Sequence, residues 1–76
     1  MSRSRVTGEI LRVRLAKKVR TSRTRLRLTL KAAAGHAKIH WRHWQKIEAA
    51  EVNVSLQMLV RLGTVLSVDP GDLIGT

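Results

Sequence analysis

The chain has no cysteine, no tyrosine and no phenylalanine, and a single proline among its 76 residues. Without cysteine, neither a disulfide framework nor a thiolate metal site can supplement a small core. With Trp41 and Trp44 as the only aromatics, the interior has to be built from Leu, Val, Ile and Ala, which favours packed helices over a sheet. An all-α fold is therefore expected. No apolar run reaches the roughly 18 residues that a membrane span needs, and the N-terminal MSRSR lacks the apolar segment of a secretory signal, so no membrane association is expected. The expected location is the cytoplasm, in association with the nucleoid. A chain of this length holds one small domain, which buries only roughly 60% of its unfolded surface.

Acidic residues are scarce as well. Five Asp and Glu stand against 15 Lys and Arg, giving a formal net charge of +10, and residues 1–31 hold 11 of those 15 bases against the single acid Glu9. The remainder of the chain is balanced. A basic segment polarised in this way attracts a polyanion and speeds encounter with it, so nucleic acid is the leading partner. The few carboxylates have the positions of helix caps and of a helix-end ion pair, not of a paired acid and base, so no enzyme and no cofactor are expected. His36, His40 and His43 are spaced by four and three residues and would align as metal ligands on one unbroken helix. A turn is expected between them, and no metal site is expected either.

Residues 1–6 read as a flexible basic arm and residues 7–76 as a single domain. From about Thr7, the residues Leu11, Leu15, Val19, Ser22 and Leu26 fall at helical spacing. Leu11, Val13 and Leu15 also alternate with Arg12 and Arg14 as in an exposed strand, but only the helical stripe continues past residue 15. Thr29 caps a second helix through Ala32, Ala33 and Ala34 that stops near Ala37 or Lys38. A third helix covers about residues 40–49, with Trp44 and Ile47 inward beside Ile39, and with His40, Trp41, Arg42, Gln45 and Lys46 outward. Ser55 caps a fourth, whose stripe is Leu56, Leu59, Val60, Leu62 and Leu66. Asp69 and Pro70 then open a short fifth helix that exposes Leu73 and Ile74.

Residues 28–74 resemble the Cro and C1 repressor type of helix-turn-helix domain, and the resemblance extends over residues 15–75. Leu28 and Thr29 match the opening of that family's second helix, and Ile47 and Glu48 the close of its recognition helix. Asn53, Ser55, Leu56, Leu59, Leu62, Leu66, Val68, Asp69, Pro70 and Leu73 follow in register. The resemblance implies a five-helix bundle of the lambda-repressor-like type and a phage or bacterial transcriptional regulator. It would be a repressor or autoregulator that binds double-stranded DNA as a homodimer on paired half-sites. Base-reading positions then fall on Trp41, Arg42 and Lys46, with His40 and Gln45 beside them. Arg42 and Lys46 suit guanine O6 and N7, Gln45 suits adenine, and Trp41 offers apolar contact to a thymine methyl unless it belongs to the core. Arg23 and Glu48 take the positions of a structural ion pair. Thr29, Lys38, Arg25, Arg27, Arg3 and Arg5 are candidates for phosphate contact, the last two also for an arm in the minor groove. Val65, Leu66, Val68, Leu73 and Ile74 form the expected dimer edge, unless they are buried within one chain.

Two departures from the family stand out. Its turn glycine is Lys38 here, with Gly35 three residues earlier, so the second helix ends either at the turn or early at Gly35. The charged residue and glycine usual after the recognition helix are Ala49 and Ala50, followed by Glu51. Two other function classes compete with a specific regulator: a basic packaging protein that reads no sequence, and a basic amphipathic helix that docks on anionic membrane or an acidic partner.

Overall fold

The computed structural model describes residues 6–75, so Arg3 and Arg5, with most of the expected arm, lie outside the described residues. Five helices are present: α1 (Gly8–Arg25), α2 (Leu30–Ala37), α3 (Trp41–Glu48), α4 (Leu56–Leu66) and α5 (Pro70–Ile74). No strand occurs among the described residues, and Leu11, Val13 and Leu15 all lie on α1. No helix among them is long and apolar enough to cross a membrane.

Each helix starts where a side chain replaces a missing intrahelical partner. Thr7 Oγ1 accepts from Ile10 N at 3.1 Å, Thr29 Oγ1 from Ala32 N at 3.0 Å, and Ser55 Oγ from Met58 N at 3.0 Å. Asp69 Oδ1 accepts from Gly71 N at 2.8 Å, with Pro70 at the first helical position where its absent N–H costs nothing. The cap of α3 is the ring of His40, whose Nδ1 accepts from Arg42 N at 3.1 Å.

The first four helices also end alike. The residue after each turn donates to the carbonyl five positions back: Leu28 to Arg23, Ile39 to Ala34, Glu51 to Lys46 and Val68 to Gly63, at 3.0–3.1 Å. The residue before each donor is left-handed, at Arg27 (φ 58), Lys38 (φ 58), Ala50 (φ 60) and Ser67 (φ 56). These are Schellman stops, which normally use glycine, and no described glycine has a positive φ. Leu28, Ile39 and Val68 turn inward against the core and so hold three of these stops in place. The second helix therefore runs past Gly35 to Ala37, and Lys38 takes the strained position itself.

The core gathers Leu15 and Val19 of α1, Ala33, Ala34 and Ala37 of α2, Trp44 and Ile47 of α3, Leu59, Leu62 and Leu66 of α4, and Leu73 of α5. Alanine on the inner face of α2 lets it approach α3 and α4 closely. Three expectations about apolar residues are corrected here. Leu26 caps α1 and is 43% exposed, since the helix stops before its stripe reaches that residue. On α4 the buried row is Leu59, Leu62, Gly63 and Leu66, whereas Leu56 (81%), the first residue of the helix, and Val60 (55%), to one side of that row, are exposed. Leu66 and Leu73 are core residues at 2% and 0% exposure, and so do not form a free dimer edge. Leu73 is buried because α5 folds back to pack on both α1 and α4.

That fold-back depends on Gly63. A Cβ there would sit 2.6 Å from the Val68 carbonyl oxygen and 3.2 Å from the Pro70 ring. The obstruction is backbone, in a turn tied to Gly63 by its own hydrogen bond, so it gives way poorly. Overpacking of about 1–3 kcal/mol outweighs the roughly 1 kcal/mol gained in helix propensity. Gly63→Ala should therefore lower the melting temperature. Gly35→Ala, on the exposed side of α2 with nothing within 4 Å of its added Cβ, should raise it by the propensity term alone. Parallel thermal melts of the two variants check both signs.

Candidate nucleic-acid interface

α3 is only eight residues long and cannot hold itself together, so its orientation comes from what it buries. Trp44 and Ile47, three apart, go into the core at 0% and 1% exposure. At 100° per residue this leaves Arg42, Gln45 and Lys46 on the opposite side, and all three are exposed together with the cap residue His40. Trp41 lies in the row Trp41, Trp44, Glu48 and is half-buried, packed against the core.

The inner end of α3 is fastened by charge. Arg23 of α1 donates from Nε to Glu48 Oε2 at 2.6 Å and from Nη2 to Oε1 at 3.0 Å, forming a two-point fork, and from Nη1 to the Leu28 carbonyl at 2.8 Å. The Trp44 indole N–H donates to the same Glu48 Oε2 at 2.6 Å. One guanidinium thus joins the end of α1, the α1–α2 turn and the end of α3, with the side chains of Arg23 and Glu48 only 14% and 9% exposed. The bond to Glu48 raises the Arg23 pKa above its already high ordinary value, burial opposes that, and attraction to the carboxylate adds to it. The charge is therefore fixed at every working pH. This pair holds α3 at its angle and does not itself face outward.

At the other end, Trp41 collects cations. The Lys31 ammonium lies 5.4 Å from the indole centroid and the Arg42 guanidinium carbon 5.3 Å from it, while the His40 ring stacks at 5.7 Å with a 27° interplanar angle. Lys31 is a residue that sequence reasoning missed. Its contact with Trp41 joins two helices across ten positions, and no local pattern announces it. Lys38 does not join this cluster. It lies towards α4, around an open hollow shared with His36 and Arg61. Arg25 and Arg27 are exposed in the α1–α2 connection, and Thr29 is exposed with its oxygen engaged in capping. The left-handed turn at Lys38 separates His36 from His40 and His43, which do not lie on one helix.

A family model described as a helix-turn-helix domain matches residues 14–74, most of the chain. The chain belongs to the helix-turn-helix domain family. This is a family of DNA-binding transcriptional regulators, and α2 and α3, joined by the turn at Lys38, take the places of its helix pair. Two solved structures share the fold. An HTH_3 family transcriptional regulator from Vibrio cholerae superposes with a TM-score of 0.82 at 18% identity, over 88% of this chain and 38% of that protein. A hypothetical transcription factor, NHTF, from Neisseria superposes at 0.83, also with 18% identity, over 99% of this chain and 87% of that one. This helix-turn-helix chain thus spans well under half the length of the Vibrio cholerae regulator. No curated protein matches the sequence.

Proposed function

We propose that this helix-turn-helix chain is a sequence-specific regulator that lays α3 in the major groove of duplex DNA. In this reading it represses transcription, its own included, by occupying promoter DNA in the cytoplasm, at the nucleoid. The observation that carries the reading is the outward trio Arg42, Gln45 and Lys46, exposed on one side of a short helix whose other side is locked by Trp44, Ile47 and the Arg23–Glu48 pair. A groove about 12 Å wide admits one such helix, and these side chains match base-edge donors and acceptors. Arg42 reads guanine through its two-point fork. Arg25, Arg27, Thr29 and Lys38 set the register through phosphate, as do Arg3 and Arg5.

Half-sites one helical turn apart require two copies of the chain. With Leu66 and Leu73 inside the monomer, Val65, Val68 and Ile74, all half-buried, remain of the expected edge for that contact. Sedimentation at tens of micromolar should show a dimer, and only monomer there would remove that part of the reading.

Selection of bound sites from a random DNA pool tests the whole proposal, since it reports motif, symmetry and spacing together. The selected site should outcompete random duplex by at least about a thousandfold. Arg42→Ala should then cost about 1–3 kcal/mol and relax preference at one base position. A pool that yields no motif would make the chain a packaging protein, whereas an Arg42→Ala loss equal on all sequences would overturn the specific reading at that residue.

A further inference from the structure

Lys31 and Arg42 carry like charges, yet both converge on one ring where α2 and α3 meet, at 5.4 and 5.3 Å from the Trp41 centroid. Both are exposed, and neither has an acidic partner among the described residues. Trp41 packs against the core and is stacked by the His40 ring, so its position is set before any ligand arrives. The face of an indole is electrically negative and attracts both cations, which offsets their mutual repulsion and keeps them at one spot. Because neither charge is neutralised by a carboxylate, both remain available to an outside anion. Ordering two long side chains in advance also removes part of the entropy cost of binding.

We propose that Lys31, Trp41 and Arg42 act as one DNA-contacting unit. Lys31 holds a backbone phosphate next to the base that Arg42 reads, and Trp41 is the positioning residue for both cations, not a base reader. The division of roles follows from the side chains. An ammonium is a point charge with three freely rotating donors and suits phosphate, whereas the planar guanidinium fork suits the two acceptors of guanine. Half-buried against the core, stacked by His40 and approached by two cations, the indole has little surface left for a thymine methyl. This inference rests on α3 being the DNA-facing helix.

The test is affinity of the full chain for a pool-selected duplex and for a mixed-sequence duplex, titrated across salt. Wild type is compared with Lys31→Ala, Trp41→Leu, Trp41→Phe and the Lys31→Ala/Trp41→Leu double variant, with thermal melts of each. Lys31→Ala should weaken both duplexes by roughly three- to tenfold and lower the log–log salt slope by about 0.9, the value for one phosphate. Trp41→Leu should weaken binding by a similar factor. The double variant should fall well short of the product of the two losses, because the ring and the lysine act together. Trp41→Phe, which keeps an aromatic face, should recover most of the loss. An unchanged salt slope in Lys31→Ala, or losses that simply multiply, would overturn the proposal. Should Trp41→Leu fail to fold, the Lys31→Ala slope decides alone. Arg42→Ala separates two kinds of failure. If neither it nor Lys31→Ala alters binding, the DNA-facing reading of α3 is wrong, whereas an effect of Arg42→Ala without Lys31–Trp41 coupling sinks only this inference.

Discussion

Glu48→Ala is expected to cost about 3–5 kcal/mol of folding stability, because it strands a nearly buried guanidinium. The variant removes the acceptor of both Arg23 fork bonds and of the Trp44 indole N–H in one step, leaving an uncompensated charge and an unpaired donor beside the core. A chain of this length has only about 4–11 kcal/mol in total, so the loss takes a large share of the folded state. Glu48→Gln should cost less, since an amide oxygen still accepts from Trp44 although the charge is gone. Arg23→Ala should resemble Glu48→Ala and additionally free the Leu28 carbonyl. The check is urea unfolding followed by tryptophan fluorescence, which reports on Trp44 together with Trp41. A loss under about 1 kcal/mol, the value of an exposed pair, would mean the site is wetter than its 14% and 9% exposures indicate. The sign with pH follows from Arg23. A folded pKa raised above the unfolded one gives stability that is complete below the unfolded value and lost only as pH rises through the folded value. No alkaline loss from this group is therefore expected in any ordinary buffer.

Much of the fold was legible because it is written in short-range chemistry. Thr29, Ser55 and Asp69 announce their helices as oxygen acceptors for free N–H groups, and Leu15, Val19, Trp44, Ile47, Leu59 and Leu62 fall on helical periods. What failed was longer in range. Leu73 sits in a five-residue helix, too short to carry a period, and only the return of α5 across α1 and α4 decides that it is buried. Leu56 and Val60 join the α4 stripe on hydrophobicity, but Leu56 is the first residue of the helix and Val60 lies to one side of the buried row, and both are exposed.

The turns show a different gap between sequence and structure. Lys38 and Ala50 stand where glycine is usual, and for the second helix the sequence left open a stop at Gly35 instead. The structure keeps both stops in place with L-residues at φ 58 and 60. Inward anchoring of Ile39 by the core offsets the backbone cost at Lys38, a tertiary effect that local propensity does not contain. For the candidate site, the exposed trio was readable from the helical period of α3, and the ion pair only through family resemblance. The Lys31 contact was readable from neither, since it depends on where two helices cross.

The largest effect on function should come from salt. The first 31 residues hold 11 of the 15 bases, and Arg23 is the member of that group already committed to a carboxylate in the structure. With about six to ten phosphate contacts, affinity for duplex DNA should fall by about 10³ to 10⁵ between 50 and 200 mM salt, since each contact releases a condensed counterion. The slope is also a counter of contacts. Each neutralised base that touches phosphate should lower it by about 0.9, whereas one that touches only solvent should leave it unchanged. Titrating Arg25→Ala, Arg27→Ala, Lys38→Ala and an Arg3→Ala/Arg5→Ala double variant against one duplex therefore sorts the basic residues individually. Lys38 lies with His36 and Arg61 on the α4 side, away from the Trp41 cluster, so it is the sharpest case. A full unit lost from the slope would place the α2–α3 turn against the backbone. No change would make Lys38 a residue of the turn alone, and would confine the reading surface to the side bearing Trp41, Arg42 and Lys46.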